Sequence, residues 1–209
     1  MILIRHATIV TPTQHAEDTA VLIGSRTITA VGHDAVLHAP AETRIIDASG
    51  LLLVPGYIDL QLNGAFGHDF TADPTTIWPV SKRLPQFGVT SYLPTIITSP
   101  LETVEKARLE LLNNRPEAYH GAEPLGLHVE GPFLNPQKKG AHNPTYIREP
   151  EETGITTWSP ESGVRLVTLA PEQPGATAVI EELADTSLIE ALQWTVHRFH
   201  RDHEPPTAG

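Results

Sequence analysis

Apolar and polar positions follow two different rhythms along the 209 residues. Up to about residue 50 the apolar positions come in short runs rich in Val, Ile and Thr, at 1–11, 20–23, 27–31 and 43–46. Pro12, Gly24 and Gly32 break these runs. Such runs predict strands, and Gly24-Ser25-Arg26 predicts the turn of a hairpin between two of them. From Leu51 onward, short apolar strands at 54–60, 90–97, 125–130 and 164–170 alternate with amphipathic stretches at 76–87, 101–113 and 175–184. Strand and helix in alternation with short connections predict an α/β unit on a parallel sheet.

The second helix is the best marked. Ser99 is placed to cap it, Pro100 suits its first position, and Glu102 completes a capping box with Ser99. Leu101, Val104, Ala107, Leu111 and Leu112 predict its buried stripe, with Glu102 and Lys106 paired on the other side.

Composition narrows the partners. Fourteen basic residues against 25 acidic give a net charge of −11, which repels nucleic acid and anionic membranes. The chain has no cysteine, so thiol chemistry, disulfides and Cys-ligated metals are excluded. Its longest apolar stretch, at 51–55, is too short to span a bilayer, and residues 1–5 lack the pattern of a signal peptide. A cytoplasmic protein is expected.

In a parallel α/β sheet, ligands gather at the carboxyl ends of the strands. The unusual polar residues cluster there: Asp59, Gln61 and Asn63 after the first strand, His128 and Glu130 on the third, Pro171-Glu172 after the fourth. Glu130, in Gly126-Leu-His-Val-Glu-Gly-Pro132, either ligates a metal or caps a neighbouring loop. His128 shares its face, as a ligand or as a hydrogen-bonded core histidine. The loop Gln137-Lys-Lys-Gly-Ala-His-Asn-Pro144 could receive an anionic or carbonyl-bearing ligand, or could simply be solvated. His197, His200 and His203 stand at i, i+3 and i+6. On a helix that spacing turns them apart, so they make a poor metal set.

Four segments together resemble the N-acetylglucosamine-6-phosphate deacetylase family of the amidohydrolase superfamily. They are Val54-Pro-Gly-Tyr-Ile-Asp-Leu-Gln-Leu-Asn-Gly64, Gly88-Val-Thr-Ser-Tyr-Leu-Pro-Thr95, Leu125-Gly-Leu-His-Val-Glu-Gly-Pro132 and Lys138-Lys-Gly-Ala-His-Asn-Pro144, with Val167-Thr-Leu-Ala-Pro-Glu172 following. The resemblance covers roughly residues 1–186. It implies part of a (β/α)8 TIM-type barrel, about four β/α units over 51–186, preceded at 1–50 by part of a small β-sandwich. Residues 187–209 are expected to form a divergent tail, irregular or helical up to His203.

The activity implied is removal of the acetyl group from an amino-sugar phosphate, by a homodimer holding one divalent metal ion of zinc or iron type. Glu130 is the implied metal ligand. Ala141, through its backbone, and His142 are the implied substrate contacts. Gln61 and Asn63 stand where many metal-dependent hydrolases carry His-x-His, and with His128 they are expected as supporting or vestigial members of the metal strand. Amides are poor ligands for transition metals. That weighs against the other enzyme readings, a dihydroorotase-like or N-acyl-amino-acid hydrolase. A non-catalytic remnant that binds sugar phosphate is the remaining alternative.

The family's two histidine ligands and its general acid/base aspartate are not matched. The Gly-His expected after the helix at 175–184 falls on Gln193-Trp194, and the aspartate is expected beyond residue 209. Residues 51–209 fall well short of the about 250 residues typical of a whole barrel. The expectation is a truncated form with an incomplete metal site, inactive alone.

Overall fold

The computed structural model describes residues 1–150, 155, 157–185 and 189–192. The chain divides into two compact units, Met1–Gly56 and Tyr57–Gly209.

The first unit is one mixed sheet with a short helix. Its strands are β1 (Ile2–Val10), β2 (His15–Gly24), β3 (Thr27–Val31), β4 (Arg44–Asp47) and β5 (Leu52–Leu53), in the order β3-β2-β1-β4. β1, β2 and β3 pair antiparallel, whereas β4 and β5 both run parallel to β1. The β2–β3 connection is the hairpin expected at Gly24-Ser25-Arg26, and Ser25 adopts a left-handed φ of 56° there. Helix α1 (His33–Leu37), which the apolar pattern does not announce, buries Ala35 with Leu3, Ala20 and Leu22. Leu52–Leu53 pair with β1, so the first unit continues to Gly56.

The second unit carries β6 (Tyr57–Leu62), α2 (Ile77–Ser81), β7 (Val89–Ile97), α3 (Leu101–Asn113), β8 (Glu123–Pro124), β9 (Leu127–Glu130), β10 (Val164–Leu169), α4 (Ala176–Asp185) and β11 (Ile189–Leu192). All its strand pairs are parallel, in the order β11-β10-β9-β7-β6. β8 lies beside β7 just ahead of β9, and the two are separated at Leu125-Gly126. A Cβ at Gly126 would come within 2.4 Å of the Arg165 side chain, and its φ is +133°. Each new strand joins the sheet beside its predecessor and the order never reverses. That is the order of a singly wound sheet, not of a doubly wound one, whose order reverses at a switch point.

Three expectations need correction. The stretch 76–87 is not one helix. It is a 3-10 turn at Pro74–Thr76, the five-residue α2, and a second 3-10 turn at Leu84–Phe87. Pro79 and Pro85 each remove a backbone donor and crowd the preceding turn, and Gly88 ends the segment at φ +83°. The stretch beyond residue 187 is not wholly an irregular or helical tail. Ile189–Leu192 pair with Leu166–Leu169 as a further parallel strand, and with the short β8 the described sheet has six strands rather than the four expected. Residues 193–209 lie outside the described residues, and with them Gln193-Trp194, His197, His200 and His203.

The third correction is at α3. The helix has the expected bounds, but Pro100 stands at its N-cap and no side chain caps it. Ser99 is one residue too early, and its Oγ is buried without a hydrogen-bond partner. Val104 and Ala107 are buried as expected, while Leu112 is exposed and Glu110 is buried in its stead. The Glu110 carboxylate accepts from Asn114 Nδ2 at 2.6 Å. The outer charged pair is Glu105–Arg108, two parallel hydrogen bonds of 2.9 and 3.0 Å.

These contacts give a first prediction. A working N-cap serine costs about 1 kcal/mol when replaced by alanine. Ser99→Ala removes an unsatisfied buried hydroxyl instead, so it is expected to leave the thermal melting temperature unchanged or raise it. A drop of several degrees would restore the capping box.

The core lies between the sheet and α2, α3 and α4. It is built on Ile96, Leu127, Val129, Val167 and Leu169 from the strands and Ile77, Val80, Val104, Ala107 and Val179 from the helices. Among the described residues no helix is long and apolar enough to cross a membrane.

Candidate active site

The parallel register brings the strand ends together. Thr95, Ile96 and Ile97 of β7 lie beside His128, Val129 and Glu130 of β9, and Glu130 lies beside Thr168 of β10. Glu130 is therefore carried to the carboxyl edge of the sheet. Gly131-Pro132 then turns the chain away, with Gly131 at φ +92°.

The Glu130 carboxylate is buried (8% exposed) and sits between two polar side chains from distant parts of the chain. Gln61 Nε2 donates to its Oε2 at 3.0 Å. His142 Nε2 lies 3.5 Å from its Oε1, with both side chains about one-tenth exposed. Gln61 thus reaches the site as a donor to the carboxylate. An amide nitrogen has no lone pair for a metal.

His142 is delivered by a loop built from one motif used twice. Asn135-Pro136 and Asn143-Pro144 each open a 3-10 turn, and the asparagine side chain accepts from the backbone N–H two residues on. The His142 amide bonds Lys139 O at 3.0 Å, which folds Lys139–His142 into a tight turn. The ring points inward, where Thr98 Oγ1 lies 2.9 Å from Nδ1.

The other expected residues are placed differently. His128 is 1% exposed and stays within the sheet. Its Nδ1 is 3.2 Å from Thr95 Oγ1 and its Nε2 is 2.7 Å from Thr168 Oγ1, so it ties β9 to both neighbours. These bonds are what the reading as a hydrogen-bonded core histidine expects. Asn63 is exposed, and its carbonyl accepts from the Phe70 amide. Ala141 is exposed beside His142. Asp59 folds back to accept from the Gln61 amide at 3.0 Å. Glu172 accepts from Asn135 Nδ2 at 2.9 Å, anchoring the His142 loop to the end of β10. Nothing local in the sequence marks Thr95, Thr98 or Thr168 as neighbours of the site, and their contacts span 33 to 44 residues of sequence.

Burial pushes the His128 imidazole below its ordinary pKa, while the nearby Glu130 charge partly opposes this. Above about pH 6.5 the ring is neutral in both folded and unfolded chains. As pH falls below that value the unfolded chain takes up the proton first, so stability is lost until the folded ring protonates too. The urea midpoint is accordingly expected to be lower at pH 5.5 than at pH 7.5, and the difference to shrink in His128→Gln. An equal difference in the two proteins would show that His128 does not contribute.

A bound divalent ion is the group the resemblance implies here. A catalytic metal site needs about three protein ligands. Glu130 is a suitable carboxylate, but among the described residues no three His, Cys, Asp or Glu side chains come together to hold an ion. The described donor set does not make a metal centre. One at this edge needs further donors from outside it.

Comparison with known proteins bears on the same edge. Residues 52–204 match the model of the amidohydrolase family. That match runs past residue 186, where the resemblance of motifs stops. The N-acetylglucosamine-6-phosphate deacetylase of Mus musculus is 40% identical over 158 residues, covering 72% of this chain and 38% of that protein. The Bacillus subtilis enzyme of the same name is 34% identical over 168 residues, covering 76% and 40%. Among solved structures, the deacetylase from Pasteurella multocida superposes with a TM-score of 0.77 at 30% identity, covering 91% of this chain and 50% of that one. The one from Mycobacterium smegmatis gives 0.72 at 29%, covering 92% and 53%. The chain spans about two fifths of the length of the sequence relatives and about half that of the solved structures.

Proposed function

Because the chain belongs to the amidohydrolase family, we propose that it carries part of the active site of a metal-dependent deacetylase acting on N-acetylglucosamine 6-phosphate. In this reading the parallel sheet is a portion of a (β/α)8 barrel, the first unit is part of a small β-sandwich, and the strand ends form the barrel mouth. The observation that carries it is the meeting of Gln61, Glu130 and His142 at one sheet edge, from segments up to 81 residues apart.

Each residue has a role that its surroundings support. Glu130 offers the metal a carboxylate whose second oxygen is already held by the Gln61 amide. A divalent ion there would polarise the substrate's amide carbonyl or make its bound water acidic. His142 and the Ala141 backbone lie where they can meet the acetamido group. Lys138 and Lys139 add positive charge to the same loop, in a chain that is otherwise acidic. The dihydroorotase-like and N-acyl-amino-acid readings gain nothing from the geometry, since Gln61 points its nitrogen at the carboxylate.

The test is a fusion of this chain to the half of the Pasteurella multocida deacetylase that it does not cover. With zinc added, the fusion is expected to release acetate from N-acetylglucosamine 6-phosphate and far less from N-acetylated amino acids. A folded fusion that prefers the amino acids would overturn the substrate.

A further inference from the structure

The geometry points to Thr98 as a positioning residue that decides which nitrogen of the His142 ring carries its hydrogen. Thr98 follows the last residue of β7 and is 4% exposed. Its backbone N–H donates to His142 Nδ1 at 3.4 Å. Its hydroxyl lies 2.9 Å from the same nitrogen and 3.0 Å from the Glu130 carbonyl oxygen. The amide hydrogen is therefore aimed at Nδ1, while the hydroxyl, in reach of the same nitrogen, donates to the Glu130 carbonyl at the end of β9.

A hydroxyl hydrogen can rotate, but an amide hydrogen cannot. If Nδ1 carried the ring hydrogen, two hydrogens would face each other and the buried Thr98 amide would lose its acceptor. Buried backbone donors are almost always paired, and an orphan costs about 1–3 kcal/mol. Nδ1 is thus the bare nitrogen and Nε2 bears the hydrogen. Nε2 is also the atom that faces Glu130, at 3.5 Å. Thr98 therefore makes His142 present an N–H at the strand ends, suited to an acceptor such as an amide carbonyl oxygen and unsuited to taking a proton. The consequence for a bound amide rests on the deacetylase reading, whereas the placement of the ring hydrogen does not.

The experiment records two-bond nitrogen–proton correlations of the histidine rings in the 15N-labelled 209-residue chain at pH 8. The His142 signals are identified by their loss in His142→Gln. The wild-type chain is expected to show Nδ1 as an unprotonated, pyridine-type nitrogen and Nε2 as a protonated, pyrrole-type one. Thr98→Val keeps the shape and the backbone amide but removes the hydroxyl, so the same tautomer should persist. A pyrrole-type Nδ1 in the wild type overturns the proposal without any variant. So does a move of Nδ1 towards the pyrrole type in Thr98→Val, which would leave the choice to the hydroxyl rather than the amide. No substrate is present, so the outcome is independent of acetate release.

Discussion

Replacing Glu130 by glutamine in the active fusion is expected to lower acetate release by a thousandfold or more while leaving the fold intact. The substitution keeps the shape of the side chain and removes the negative charge and one acceptor oxygen. Partners that merely orient a metal ligand cost about 10–100-fold when lost, so the ligand itself must exceed that range. Stability should change little. The Glu130 carboxylate is buried with one amide donor, Gln61, and an imidazole, His142, and among the described residues no Lys or Arg pairs with it. A neutral amide in its place avoids the cost of burying a charge. Zinc binding measured by calorimetry should weaken in step with turnover. Turnover within tenfold of the parent would remove Glu130 from the metal.

The second large effect is expected from Gly131→Ala. Gly131 has φ +92°, and an added Cβ would stand 2.1 Å from Thr98 Oγ1 and 3.3 Å from Leu134 Cγ. The left-handed backbone costs an L-residue about 1–2 kcal/mol, and overpacking a filled site costs about 1–3 kcal/mol more. Thr98 cannot swing aside cheaply, because its hydroxyl would leave both Glu130 O and His142 Nδ1. A loss of about 2–5 kcal/mol in urea unfolding is the expected result, together with displacement of the His142 ring. Gly140→Ala is the control, since its φ is also positive, +55°, and a Cβ there meets nothing within 4 Å. If the two variants lose equal stability, the clash is not the cause.

Much of this arrangement is legible in the sequence because it is written locally. Glu130 is marked by the Gly-Pro that follows it, and His142 by the Asn-Pro turn that it precedes. The bounds of α3 follow from Pro100 and the run of helix formers after it. What is not legible depends on distance. The strand Ile189-Glu-Ala-Leu192 consists mostly of residues at home in a helix, and it is extended because β10 offers a free edge to pair with. Glu110 occupies an inward position that the apolar pattern assigns to Leu112, because Asn114 supplies the donor its carboxylate needs. The stretch 76–87 reads as one helix, and only the fold shows that Pro79 and Pro85 divide it into three short turns.

The site follows the same division. Gln61 was legible as a poor metal ligand, but its service as a donor to Glu130 depends on a contact across 69 residues. Thr98, with Ser99 and Pro100 after it, looks like the end of a strand and nothing more. Its role exists only once β7, β9 and the His142 loop are brought side by side. His128 and Glu130 share a face by sequence alone. That one is locked inside the sheet and the other reaches its edge is decided by Thr95 and Thr168.

In the function proposed above, this chain contributes a carboxylate and a substrate contact to a deacetylase site whose other metal donors its described residues do not supply. Acetate release from N-acetylglucosamine 6-phosphate by the purified 209-residue polypeptide, with zinc in excess, tests it most directly. No acetate above the protein-free control is expected from the polypeptide alone, and turnover is expected from the fusion under the same conditions. Steady turnover by the polypeptide alone, abolished by Glu130→Gln, would contradict it.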